Sequence, residues 1–197
     1  MFLITTSRRP SRRTRSFLKE FSLILPGSYR VNRGKFSFRG LLAEALVHNC
    51  RGIIIINTYK GNPGSIDFYV IKKVSEEESL DSYQLEFLGK IYLAGVVLAR
   101  ERKSPPCVGV RNIEIEADRC ISEICGRLRE LITKIINFTK DTSIADRYIK
   151  HTLYITIEEK KDLVELRMRT SQRNTCGFVL RIKKVILSNK DVLITST

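Results

Sequence analysis

The chain has 197 residues, 43% of them apolar, which is enough for one substantial domain or two small ones and excludes wholesale disorder. Lys and Arg number 35 against 21 acids, a formal charge of +14 with an isoelectric point near 9.8, so the expected partners are polyanions: RNA, DNA or an anionic membrane surface. The membrane reading fails on length, because the longest all-aliphatic stretch, Ile53 to Ile56, is far short of the ~20 residues of a spanning helix.

The start, Met1-Phe2-Leu3-Ile4, runs into Arg8-Arg9, the reverse of a signal peptide's order, so no export route is expected. Residues 2–5 read as a short strand. A helix is expected over residues 11–25, ended by Pro26-Gly27, with Phe17, Leu18, Phe21, Ile24 and Leu25 at helical spacing. Arg12, Arg15 and Lys19 fall on the opposite face and Arg13 toward its flank. Residues 29–31 read as a strand and residues 32–35 as a loop. Ser37 is expected to cap a second helix through Leu41, Leu42, Ala45 and Leu46, ending near Asn49.

Ile53 to Ile56 is continuous and β-branched, as in a strand buried on both faces. Gly61-Asn62-Pro63-Gly64 breaks it, with Pro63-Gly64 suited to the centre of a type II turn, and Ile66, Phe68 and Val70 alternate along the return strand. The acidic stretch from Ser75 to Ser79 marks a junction near residues 75–83. Residues 85–99 read as a strand with Gly95 at a bulge. A short strand over 113–117 precedes a long helix over 118–137, whose apolar face carries Ile121, Ile124, Leu128, Leu131, Ile132 and Ile135. Its outer face offers the pairs Glu123–Arg127 and Glu130–Lys134. Residues 148–157, 163–168 and 178–187 finish the chain as strands. The fold class is therefore α/β, with mixed sheets, packed helices and two sheet-bearing halves.

Catalytic chemistry finds no residues. His48 and His151 lack nucleophiles or metal-ligand spacing, and neither phosphate-binding glycine motif is present. The five cysteines, Cys50, Cys107, Cys120, Cys125 and Cys176, contain no CxxC pair, and are expected as small buried thiols in a reducing cytoplasm. Glu158-Glu159 and Lys160-Lys161 read as a solvated hairpin turn. A non-enzyme without cofactor, metal or small-molecule substrate is expected.

The charge, by contrast, is concentrated. Residues 1–39 hold ten cations against one acid, Glu20, so they supply +9 of the net +14 and the other 158 residues only +5. Eight of the ten are Arg, whose planar fork pairs with phosphate and stacks on bases. Ser7 and Ser11 flank the helix start, where free N–H groups favour an anion. Lys60 and Asn62 form a second candidate, although alone theirs is an ordinary hairpin turn. Arg167, Arg169, Arg181 and Lys183 form a third, at alternate positions on late strands. Tyr29 and Tyr59 are candidates to stack an unpaired base.

Three segments taken together, Ile4-Thr5-Thr6-Ser7-Arg8-Arg9-Pro10-Ser11 with Arg13-Thr14-Arg15 and Phe17, then Arg30-Val31-Asn32-Arg33-Gly34-Lys35, then Lys60-Gly61-Asn62-Pro63-Gly64, resemble in order and spacing the Brix-domain family of ribosome-biogenesis proteins. The resemblance is strong over residues 2–70 and faint afterwards. Gly177-Phe178-Val179-Leu180-Arg181 is similar to the family's late Gly-Pro-Arg-Phe motif without its Pro-Arg insert, which puts the contact of that arginine in question. The resemblance implies a single Brix-type domain over residues 1–197, with an N-terminal half of about 1–75 and a C-terminal half of about 84–197. Each half would be related in fold to the anticodon-binding domains of class II aminoacyl-tRNA synthetases. It implies binding to precursor ribosomal RNA during subunit assembly, with ribosomal or other assembly proteins as further partners. The expected RNA-binding residues are Ser7, Arg8, Arg9, Arg12, Arg13, Arg15, Lys19, Arg30, Asn32, Arg33, Lys35, Lys60 and Asn62. Similarity to the short archaeal branch places the chain in the cytoplasm. The alternatives are a protein-interaction scaffold whose basic face docks an acidic partner within a ribonucleoprotein, and a DNA-compacting protein.

Overall fold

The computed structural model describes residues 1–77, 79–117, 120–139 and 152–188. His151, residues 118–119 of the expected long helix and residues 148–150 of the expected strand lie outside them. The elements in chain order are β1 (Phe2–Thr6), α1 (Arg12–Ile24), β2 (Tyr29–Arg30), α2 (Phe38–Val47), β3 (Gly52–Tyr59), β4 (Asn62–Lys73), β5 (Tyr83–Val97), β6 (Asn112–Glu116), α3 (Glu123–Thr139), β7 (Thr152–Lys160), β8 (Leu163–Thr170) and β9 (Thr175–Leu187). All nine strands join one mixed sheet, in the order β2-β1-β3-β4-β5-β9-β8-β7-β6.

The sheet reads almost the same from either edge. β1 pairs parallel with β3, which continues antiparallel through β4 and β5. β6 pairs parallel with β7, which continues antiparallel through β8 and β9. Between β1 and β3 lie α1, β2 and α2; between β6 and β7 the described helix is α3. The two long strands, β5 and β9, pair antiparallel at the centre. Here the expectation of separate sheets gives way. Two long strands left as edges would expose rows of N–H and C=O groups, and joining them satisfies both.

One face of this sheet carries the main core. Phe2, Ile4, Ile54, Ile56, Ile66 and Phe68 face α1, while Leu153, Ile155, Leu166 and Leu180 share the layer with Leu128, Leu131 and Ile135 of α3. α1 follows its expected pattern: Ser11 Oγ accepts from Thr14 N at 3.0 Å, and Phe17, Leu18, Phe21 and Ile24 are buried. On the other face a smaller cluster joins Leu3, Ile53 and Ile55 to Leu41 and Ala45 of α2. Alternation along β1 and β3 therefore feeds two helices on opposite faces, which explains why these strands are apolar on both sides.

Several local expectations shift by a few residues for identifiable reasons. The β3–β4 turn is Lys60-Gly61, not Pro63-Gly64. Both turn residues have positive φ, +46° and +78°, as a two-residue type I′ hairpin requires. Pro63 lies within β4 opposite Thr58, where the ladder shifts register and its missing N–H is tolerated. Gly95 does sit at a bulge, where β5 slips against β9. α3 begins at Glu123, leaving Ile121 92% exposed ahead of it. The reason is Glu159 of β7, whose Oε1 accepts from the backbone N–H groups of Ile121 and Ser122. It is a helix cap, not part of a solvated turn. The pairs Glu123–Arg127 and Glu130–Lys134 form at 2.5 and 2.6 Å.

The cysteines depart from separate buried thiols. Cys107 and Cys176 are disulfide-bonded across 69 positions with Cα atoms 5.2 Å apart, and Cys120 is bonded to Cys125. Cys120 precedes α3, so the helical separation expected between those two does not apply. Cys50 remains a thiol, and burial pushes its pKa up to about 11.

Candidate nucleic-acid interface

β2, β1 and β3 run parallel, so their C-terminal ends lie along one edge of the sheet. The chain leaves β1 into residues 7–11, leaves β2 into residues 31–37, and leaves β3 at Lys60-Gly61. These are the three charged segments. Sequence separates them by tens of residues; parallel pairing brings them together. α1 follows the first loop on one face and α2 follows the second on the other, so both helix N-termini point to this edge. Open α/β sheets bind ligands at this position, beyond the strands' carboxyl ends where the connections diverge.

Backbone and hydroxyl contacts fix the loops to one another. Ser7 N donates to Ile56 O at 2.9 Å, and Thr58 N donates to Ser7 Oγ at 3.4 Å. Thr58 Oγ1 donates to Thr14 Oγ1 at 2.9 Å, joining β3 to α1. Val31 N donates to Ile4 O and Thr5 Oγ1 to Val31 O, which closes the second loop against β1. Ser37 Oγ accepts from Gly40 N at 3.0 Å and starts α2.

On this frame Arg8, Arg9, Arg12, Arg15 and Lys19 are exposed, as are Arg30, Asn32 and Lys35 of the second loop and Lys60 and Asn62 of the hairpin. Arg15 Nη2 also donates to Pro10 O at 3.1 Å, which holds its fork at the helix start. Asn62 Nδ2 reaches the Lys60 carbonyl. Three of the expected residues are placed differently. Ser7 is engaged with β3 as described. Arg13 turns inward and grips Glu101 with both forks, donating as well to Val96 O at 2.7 Å, so it ties α1 to the end of β5. Arg33 is buried, with 7% of its surface exposed.

The aromatic candidates also divide. Tyr59 is 65% exposed at the hairpin, beside Lys60. Tyr29 instead stacks on His48 with ring centroids 3.7 Å apart, and its hydroxyl reaches Glu44, so its faces are occupied. Phe36 and Phe38, absent from the sequence reading, are 38% and 49% exposed around the Ser37 cap. Their signal was legible: two phenylalanines flanking a cap residue, next to a Gly-Lys loop, are costly to leave in water.

The late-strand cations form a different surface. Arg167, Arg181 and Lys160 converge on Glu165, a carboxylate with 8% of its side chain exposed, and Arg169 pairs with Glu116. Burial alone would raise the Glu165 pKa, but hydrogen bonds from Lys160 and Arg167 and the charges around it hold it at about 2. Those arginines are spent on internal pairs, so the third candidate set offers an anion much less than the edge does. Arg8, Arg9 and Arg12 form no ion pair among the described residues.

His48 pairs with Glu44 four positions away and stacks on Tyr29, a structural role at the end of α2. Cys120, Cys125 and Glu159 lie close enough to suggest a metal site, yet the two sulfurs are bonded together and Glu159 caps α3. Among the described residues no helix is long and apolar enough to cross a membrane.

Comparison with known proteins agrees with this geometry. No protein-family model matches the chain. It is 36% identical over 100 residues to a probable Brix domain-containing ribosomal biogenesis protein of Aeropyrum pernix, a match covering 51% of each chain. It is 39% identical over 64 residues to the U3 small nucleolar ribonucleoprotein protein imp4 of Schizosaccharomyces pombe, covering 32% of this chain and 22% of that one. The crystal structure of a probable ribosomal biogenesis protein from Aeropyrum pernix superposes with a TM-score of 0.72 at 26% identity, over 93% of this chain and 95% of that one. The chain spans about half the length of the curated relatives it matches at 36–43% identity, or somewhat less.

Proposed function

We propose that this relative of archaeal Brix domain-containing ribosomal biogenesis proteins is an RNA-binding ribosome-assembly factor that acts on precursor ribosomal RNA without catalysis. The observation that carries the reading is the convergence of three arginine- and lysine-bearing loops, two helix N-termini and exposed aromatic rings on one sheet edge. Phosphates pair with the Arg forks, and unpaired bases stack on Tyr59, Phe36 or Phe38. The mechanism is positioning: the rigid sheet sets the spacing at which a strand of RNA is held. Two similar halves of one domain, each akin to an anticodon-binding unit, and a cytoplasmic site of action belong to the same reading.

The working estimate is six cations on single-stranded RNA. The logarithm of the binding constant should then fall against the logarithm of salt concentration with a slope of roughly −4. Binding of the full chain to a single-stranded RNA, measured by fluorescence anisotropy across a salt series, tests this. A flat dependence contradicts it. Equal competition by duplex DNA would favour compaction of DNA, and capture of an acidic peptide with no RNA affinity would favour the protein-docking alternative.

A further inference from the structure

Arg33 stands apart from every other cation of the edge. It lies in the second loop, yet it is buried, and its Nε and Nη1 atoms have no hydrogen-bond partner. Its guanidinium carbon sits 5.1 Å from the centre of the Phe38 ring, and the nearest charge that bears on it is another cation, Arg8. Burial first, then repulsion from Arg8, pulls its pKa below the ordinary arginine value. A guanidinium nevertheless stays protonated in a protein, so the chain carries a buried charge without a counter-ion. The contact with Phe38 offsets only part of that cost.

Folding gives no reason to keep an arginine there. The turn that follows is closed by Phe36 N donating to Arg33 O at 3.0 Å, a backbone contact, and Gly34 supplies the positive φ of +47°. The small core beneath α2 is built by Leu3, Leu41, Ala45, Ile53 and Ile55 without it. A methionine would occupy the space without the unpaired charge. Gly34, Lys35 and Phe36 above it are exposed, so the covering turn is thin.

We propose that Arg33 is a phosphate anchor of the RNA-binding edge, stored unpaired against Phe38 in the free protein and paired when a phosphodiester enters between it and Arg8. One oxyanion there turns the repulsion of two arginines into two charge-assisted pairs. Phe38, half exposed beside it, is placed to stack the attached base. The inference rests on the RNA-binding reading and adds to it a specific seat and a reason for a stability defect.

The test is Arg33→Met in the full chain, with Arg33→Lys beside it. Thermal unfolding should rise by about 2–4 °C in Arg33→Met, because an unpaired buried charge is removed and no bond is lost. Affinity for single-stranded RNA should fall about tenfold, and the salt slope should become shallower by roughly 0.7, the share of one phosphate on a single strand. Arg33→Lys, which keeps the charge but not the fork, should fall between the two. Inorganic phosphate replacing chloride at equal ionic strength should raise the melting temperature of the wild type and not that of Arg33→Met. An Arg33→Met protein that melts lower, or fails to fold, makes Arg33 structural and overturns the proposal. So does unchanged affinity with an unchanged slope. If the wild type shows no RNA affinity at all, the functional reading falls, and the phosphate arm alone then decides the anchor.

Discussion

Reversing Arg9, Arg12 and Arg15 to Glu together is expected to weaken binding to single-stranded RNA by roughly a hundredfold or more at physiological salt. Each reversal removes one cation and adds an anion that phosphate must approach. The salt slope should become shallower by about 2, since three contacts at about 0.7 each are lost. Stability should hardly move, because all three side chains are exposed and only Arg15 makes an internal bond, to Pro10 O. Anisotropy titration and thermal melting of the same variant check both halves. A variant that keeps wild-type affinity removes these arginines from the interface. Arg13, one position along the helix from Arg12, is the built-in comparison. It is committed to Glu101 and Val96, so its loss would be felt in folding rather than in RNA affinity.

The largest stability effect is expected at Phe178. Its ring is fully buried on β9 and packs edge-on to Phe17 at 4.9 Å and stacked on Phe21 at 6.0 Å, both from α1. Phe178→Ala should cost about 3–5 kcal/mol, the usual range for a buried aromatic whose cavity cannot collapse. Urea unfolding measures it. The change bears on function as well, since Phe178 is where the late strands hold the helix that carries Arg12 and Arg15. A loss below about 1 kcal/mol would mean that α1 is held to the sheet mainly by its other contacts.

What the sequence disclosed follows from the range of the forces involved. α1 was legible because its apolar residues repeat every three or four positions and Ser11 supplies a local cap. Ile53 to Ile56 was legible because only a strand covered on both faces tolerates such a run. The turn at Lys60-Gly61 was not. Two adjacent pairs there could each make a tight turn, and the choice is set by the register of β3 on β4. The start of α3 was missed because its cap, Glu159, comes from a strand more than thirty residues later. The disulfide of Cys107 with Cys176 and the grip of Arg13 on Glu101 are likewise products of tertiary folding.

The site divides the same way. A cluster of ten cations in the first 39 residues is a sequence fact, and so is the similarity of three segments to a family. That these segments meet on one edge depends on the parallel pairing of β2, β1 and β3. That Arg33 is buried and Arg13 is spoken for depends on packing that no local pattern encodes.

Ultraviolet crosslinking of the full chain to single-stranded RNA, followed by mass-spectrometric mapping of the modified peptides, tests the central claim most directly. Crosslinks should fall in residues 7–15, 30–38 and 59–62, the three loops of the parallel edge. Crosslinks confined to the face of β7 to β9 that carries Glu165 and Arg167 would contradict it.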